Sequence, residues 1–233
     1  RSAGPAGLIT ARTADVLAFA RLHLAGGLTA DGTRILSAES AAAMAEKQAD
    51  VPDKHTLGDS WGLGWIRDDW NGRRVIGHDG NTIGQSAFLR LLPDAGLAVT
   101  LLTNGGHARD LYTELYREIF AELADVAMPR PLEPPATPVT VDGSRHLGVY
   151  ERAGAHVEVV EREGGLRVVY TTTGPLAELM PDKVQEFDLV AVSDTLFVLR
   201  MPGGQFWTPV LFYTLPTGEQ YMHFGARATP KVA

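Results

Sequence analysis

The stretch "RRVIGHDGNTIGQSAFLRLLPDAGLAVTLLTN", residues 73–104, decides how this chain is read. Its runs 73–80, 86–93 and 97–104 have the length and apolar content of strands, and Asp94-Ala95-Gly96 marks a hairpin between the last two. The triplet His78-Asp79-Gly80 is expected to break the first strand at a polar, glycine-containing bend. A turn needs Gly and Asn but has no need of histidine, so the triplet points to a site on a sheet edge.

Working outward, "WGLGWIRDDW" (61–70) reads as a strand joined to 73–80 by Asn71-Gly72, a strong hairpin signal. Residues 97–104 are almost continuously apolar, the pattern of a strand covered on both faces. The periodicity predicts a helix over 10–25, capped by Thr10 or Thr13 and stopped by Gly26-Gly27. A second helix is predicted over 37–48 with Ser37 as cap, favoured by its alanines. A third, over 109–127, carries a stripe of Leu111, Leu115, Ile119 and Leu123 suited to lie across the sheet.

Five prolines between 129 and 138 then exclude helix and central strand, and predict a stiff linker. Beyond it, seven or eight short strands separated by Gly, Pro or Asp turns predict a small barrel or sandwich. Phe206, Trp207, Phe212 and Tyr213 either fill that barrel or line a cavity in it. The expected organisation is residues 1–128, a linker 129–143, and an all-β domain 144–233.

Composition narrows the function. Of 233 residues 45% are hydrophobic and 21% charged, a globular balance, and the net charge of −7 gives no reason to expect nucleic acid or an anionic membrane. No segment reaches the roughly 18 apolar residues of a membrane-spanning helix. With no cysteine, disulfides, thiolate catalysis and cysteine–zinc sites are excluded, and secreted and cytoplasmic locations are both compatible. No cofactor is expected. The opening "RSAGPAGLIT" has neither an initiator Met nor a signal-peptide layout, and reads as the middle of a longer polypeptide.

For His78 three readings stand: a strand-end histidine bonded to a carbonyl, a metal ligand, or a catalytic group beside a turn presenting N–H donors. The other six histidines show no paired ligand spacing. Asp79, Gly80 and Asn81 suit the third reading, because glycine lets a ligand approach the backbone. Trp61 and Trp65 are expected as core aromatics, and Asp68-Asp69 as a solvated turn.

The ordered string of a basic-x-Gly strand, a Gly-containing bend, a strand ending in Pro, an acidic-Gly hairpin and an apolar strand ending in Thr-Asn resembles the serine β-lactamase and penicillin-binding-protein family. The likeness is greatest to the class C β-lactamase, D-aminopeptidase and esterase branch. "GPAGLITARTADVLAFARLHLAGG" and "DGTRILSAES" resemble the segments preceding this string, so the resemblance covers about residues 4–125. Gly148-Val149-Tyr150 and the closing "ARATPKV" resemble a lipocalin-like barrel found in many relatives. The implied fold class is α+β: the C-terminal part of a β-lactamase-like antiparallel sheet flanked by helices, followed by a small lipocalin-like barrel.

The resemblance implies catalytic roles for His78, in place of the family's usual lysine, and for Asn81, whose backbone N–H would form half of an oxyanion hole. It implies that Asp79 and Gly80 bind substrate, with Asp79 replacing a threonine and putting an anion where anionic substrates are recognised. The family's nucleophile is a serine followed three residues later by lysine, one helical turn away. None of the serines at 2, 37, 40, 60, 86, 144 and 193 has that lysine, and no tyrosine precedes an asparagine by two. The chain is therefore expected to be the C-terminal portion of a serine hydrolase or acyltransferase, partnered by a missing N-terminal half and a small-molecule or peptide acyl substrate. A non-catalytic binding or assembly module of the same fold is the alternative.

Overall fold

The computed structural model describes residue 7 and residues 9–82, 84–179 and 181–233. The chain divides into two compact units, Arg1–Arg130 and Pro131–Ala233.

In the first unit six strands form one antiparallel meander whose spatial order is the chain order. They are β1 (Ala49–Asp50), β2 (Ser60–Trp61), β3 (Ile66–Trp70), β4 (Arg73–Thr82), β5 (Gln85–Leu92) and β6 (Leu97–Thr103). The run 61–70 is thus two strands instead of the one expected. Gly64, at φ 84°, turns the chain so that Trp61 faces Ile66. Asn71 and Gly72, at φ 55° and 85°, make the two-residue hairpin with both central residues left-handed.

The triplet does not break its strand. From Ile76 to Thr82 every residue of β4 faces a partner on β5, so the polar sequence lies within the sheet. β6 lies at the sheet's edge with β5 as its one neighbour among the described residues and is half-buried throughout, yet it is covered on both faces as expected: Ala98 packs into the cluster around Ile76 and Leu91, and Leu97, Val99 and Leu101 into the one around Phe88 and Tyr116.

Among the described residues three helices cover the sheet: α1 (Thr13–Leu24), α2 (Ala38–Ala45) and α3 (Ala108–Ala124). Ser37 caps α2 by accepting from the Ser40 N–H at 3.0 Å. The N-cap of α1 is Arg12 instead of either threonine, with the Asp15 carboxylate accepting from the Arg12 N–H at 2.9 Å. On one face of the sheet Trp70, Val75, Phe88 and Leu92 pack against Tyr112, Tyr116 and Phe120 of α3. On the other, Ile76, Leu89 and Leu91 pack with Trp65, Ala20 of α1, and Met44 and Ala45 of α2.

The buried line of α3 is the aromatic one, whereas Leu111 and Leu123 are 49% and 67% exposed. The rings win because they bury more area and the Tyr116 hydroxyl finds carbonyl partners. Tyr112 stacks on Phe88 at 4.5 Å, and the Tyr116 hydroxyl donates to the Phe88 carbonyl at 2.9 Å.

The second unit is an eight-stranded antiparallel meander: β7 (Gly148–Arg152), β8 (Ala155–Arg162), β9 (Gly165–Thr172), β10 (Val184–Ala191), β11 (Leu196–Arg200), β12 (Trp207–Thr214), β13 (Gln220–Phe224) and β14 (Arg227–Pro230). It comes close to closing on itself. The Val149 N–H donates to the Ala233 carbonyl at 2.6 Å and the Val232 N–H to the Val149 carbonyl at 2.7 Å. Gly148, at φ 134°, permits that seam, since a Cβ there would lie 2.1 Å from the Ala233 oxygen. Inward-facing Val157, Val168, Phe197, Leu199, Val210, Phe212 and Met222 fill the interior. Phe212 belongs to this core, while Tyr213 stacks on Tyr221 and Trp207 lies under the Arg200 guanidinium. The α+β class thus consists of a helix-flanked antiparallel sheet and a nearly closed, filled barrel.

Candidate functional site

Successive side chains of β4 alternate between the two faces of the sheet. His78 faces Leu89 across the ladder, on the side covered by α1 and α2, and Asp79 faces Phe88, on the α3 side. The four expected site residues are contiguous but divided. His78 and Gly80 share one face; Asp79 and Asn81 share the other.

Register adds a second feature. The last residue of β4 with a partner on β3 is Gly77, opposite Ile66. Residues 78–82 continue alongside β5 alone. In an antiparallel strand alternate residues direct their N–H and C=O to opposite sides. The stretch therefore turns part of its backbone away from β5, an edge suited to lay an extended chain against.

His78 is exposed, and its imidazole is held at two points. Nδ1 lies 2.7 Å from the Asp79 carbonyl, and the ring meets Trp61 edge to face at 5.7 Å. A carbonyl can only accept, so Nδ1 carries the hydrogen, which leaves Nε2 as the acceptor in the neutral form of the ring. Trp61 is itself fixed by donation from Nε1 to the Leu57 carbonyl at 3.0 Å. It is half-buried beside His78, in contrast to Trp65, which is a core residue. The two tryptophans, expected alike, differ because the turn at Gly64 separates them. A Cβ on Gly80 would meet nothing closer than Ala87 at 4.0 Å, so the face beside His78 is open there. The Asn81 side chain accepts from Ser86 Oγ at 2.7 Å.

On the reverse face Asp79 is engaged by Arg90, whose Nη1 and Nη2 donate to the two carboxylate oxygens at 2.6 and 3.2 Å. Arg90 is 4% exposed, and its guanidinium lies 5.1 Å from the Tyr112 ring centre. Its Nε is buried without a hydrogen-bond partner, and the nearest Asp68 oxygen is 3.8 Å away. Burial alone would favour loss of the Arg90 charge; Tyr112, Asp79 and Asp68 reverse that, leaving its pKa raised. Burial pushes the Tyr112 phenol up to about 12 despite the cation. Burial likewise raises the Asp68 carboxyl, with Arg90 opposing.

Asp68 is thus part of a buried charge cluster and does not belong to the solvated turn expected of Asp68-Asp69. Asp69 does: its carboxylate accepts from the Gly72 N–H at 2.7 Å in the hairpin. Arg90 and Gly77 were not singled out from the sequence. The signal for Arg90 was a lone charge within the apolar run "FLRLL". Among the described residues no three His, Asp or Glu side chains converge to hold a metal, and no helix is long and apolar enough to cross a membrane.

Residues 1–124 match the family model described as Beta-lactamase. Over 155 residues the chain is 46% identical to Penicillin-binding protein 4 of Amycolatopsis lactamdurans, an alignment covering 66% of this chain and 41% of the relative. Among solved structures it is similar to SurE, with 28% identity, a TM-score of 0.63, and coverage of 94% of this chain and 48% of that one. SurE with D-Leu is similar to the same degree, at 26% identity and a TM-score of 0.63, covering 94% and 49%. The chain spans half the length, or less, of these relatives.

Proposed function

We propose, for a chain that belongs to the β-lactamase family, that residues 1–124 form one wall of a serine acyl-enzyme site completed by residues outside this sequence. The reaction is hydrolysis or acyl transfer at an amide, ester or thioester. A serine hydroxyl, its proton taken by a lysine one helical turn away, attacks the acyl carbonyl. The tetrahedral oxyanion sits between the serine N–H and the Asn81 N–H. The leaving group departs with a proton, and water or an amine then takes the acyl group from the serine. Gly80 leaves room for the acyl chain beside the strand.

The observation that carries this reading is the His78 ring, held by Trp61 and the Asp79 carbonyl where β4 has run past β3. With hydrogen on Nδ1, the ring in its neutral form accepts at Nε2 from a hydroxyl. That favours a role in the hydroxyl network of the nucleophile. The Asp79 charge points away from this face, onto Arg90, so the anion beside the motif does not oppose anionic acyl substrates. The likeness to a protein solved with D-Leu favours D-configured aminoacyl groups among those acyl donors.

The absence of Ser-x-x-Lys from the sequence favours a second reading, a non-catalytic module of the same fold. A fluorophosphonate probe separates them on a polypeptide that includes the upstream portion. Labelling of a serine three residues before a lysine, slowed about 100-fold or more by His78→Ala, is the expected result. An unlabelled protein, or one with no such serine, sinks the catalytic reading.

A further inference from the structure

The sequence Gly77-His78-Asp79-Gly80 interleaves two functions along one strand. The even positions, 78 and 80, face the open side. The odd positions, 77 and 79, face the helix α3 side and together receive Arg90. A Cβ on Gly77 would lie 2.1 Å from the Leu89 carbonyl and 2.7 Å from Arg90 Cδ, so only glycine lets the Arg90 stem lie across β4. Asp79 then takes the guanidinium in a two-point grip at 2.6 and 3.2 Å. The same residue holds the His78 ring through its carbonyl at 2.7 Å. Asp79 is therefore a physical link: side chain to Arg90 on one face, backbone to His78 on the other.

We infer that Arg90 is a positioning residue, whose fork on Asp79 over Gly77 fixes the backbone of residues 78–82 and so orients the His78 ring and the Asn81 N–H. The inference rests on the acyl-enzyme reading for what that orientation serves. Two considerations favour positioning over plain stabilisation. A buried ion pair commonly gives no net stability relative to apolar residues of the same volume, because both charges must be desolvated. What a planar, bidentate pair does supply is orientation. And the stretch it grips needs orientation, since beyond Gly77 it has lost its neighbour on β3 and is held by β5 alone.

The test uses the complete enzyme, with turnover of a p-nitrophenyl ester and nitrogen NMR of the His78 ring as readouts. Arg90→Lys keeps the charge and loses the fork. The pair Asp79→Leu with Arg90→Met keeps the volume and loses both charges. In folded variants kcat is expected to fall about 10- to 100-fold, the scale of a misplacement near 1 Å, with KM within about threefold of the parent. The His78 ring is expected to lose its preference for hydrogen on Nδ1. A folded variant with parental kcat, or with the ring tautomer unchanged, overturns the inference. Should Arg90→Lys fail to fold, Asp79→Glu, which displaces the carboxylate by one methylene, takes its place with the same two outcomes. His78→Ala tests the reading beneath it: parental turnover there overturns the site assignment, while a tautomer change in Arg90→Lys still supports the positioning role.

Discussion

The two compact units bury different kinds of group. Inside the barrel Val157, Val168, Phe197, Leu199, Val210 and Met222 are all 2% exposed or less. Its buried polar residues are His146, His223 and Thr229. The sheet unit instead buries Asp53, Ser60, Arg90 and Thr113, and half-buries Asp68 and Asp79 around that arginine. A nearly closed meander satisfies its own backbone and needs only volume inside, so apolar side chains suffice. A strand that must present chosen atoms at a free edge needs orientation as well, and charged groups with fixed geometry provide it. The contrast sets the charged cluster around Arg90 in the sheet unit against a barrel filled mainly by apolar side chains.

The largest effects that would sharpen this contrast are reciprocal. Arg90→Ala leaves the Asp79 carboxylate buried and unpaired, and is expected to cost the sheet unit about 3–5 kcal/mol while sparing the barrel. Leu199→Ala is expected to cost the barrel about 2–5 kcal/mol and spare the sheet. Urea unfolding read by tryptophan fluorescence separates them, because Trp61, Trp65 and Trp70 lie in the first unit and Trp207 in the second. If either substitution shifts both transitions equally, the units are not independent in what stabilises them.

A smaller effect distinguishes the two faces of β4. Gly77→Ala forces a methyl group against the Leu89 carbonyl and Arg90, and is expected to destabilise by about 1–3 kcal/mol. Gly80→Ala, with nothing nearer than 4.0 Å, is expected to stay within about 0.5 kcal/mol of the parent. Equal losses at both positions, measured by chemical denaturation, would contradict the interleaved arrangement.

The smallest effect is a pH dependence of the barrel. Buried His146, stacked on Phe212 at 4.3 Å, has its pKa lowered first by burial, with the bond to the Asp194 carbonyl opposing and Arg145 and Lys231 adding to the lowering. Its unfolded form therefore binds the proton more readily. The contribution is present above the usual histidine range and is lost as pH falls below about 6.5. His156, whose pKa is raised by Glu151 and Glu158, acts in the opposite sense and loses its contribution as pH rises. Comparing His146→Gln with the parent at pH 7.5 and 5 isolates the first term. A variant that weakens on acidification as much as the parent would remove His146 from that account.

Local signals were legible wherever the physics was local. Asn71-Gly72 forces a tight hairpin because both residues must be left-handed, and Ser37 caps its helix through a neighbour three residues on. The proline run 129–138 breaks the chain between two textures. The odd failures share a cause. The run 61–70 looked like one strand because its aromatics outweighed Gly62 and Gly64, and the stripe of α3 was assigned to leucines when the tyrosines face the sheet. Whether a helix buries one line of residues or the next is decided by what it packs against, here Phe88 and two strand carbonyls. Arg90 was visible as a charge in an apolar run, but its partner was not, since Asp79 lies eleven residues away and meets it only through the β4–β5 register.

The amino-acid sequence by itself determined the hairpins and a rhythm of seven or eight short strands in the second unit, and its family resemblance pointed to the α+β class and to the His78-Asp79-Gly80 stretch. The hairpins and the strand rhythm follow from turn chemistry and short-range periodicity. Only the tertiary structure decided that His78 and Asp79 serve opposite faces, that the Asp79 charge is held by Arg90, and that residues 78–82 run past the end of β3. The first depends on the triplet lying within a strand instead of a bend, and the other two on strand register, since a shift of one residue would exchange the faces and part Asp79 from Arg90.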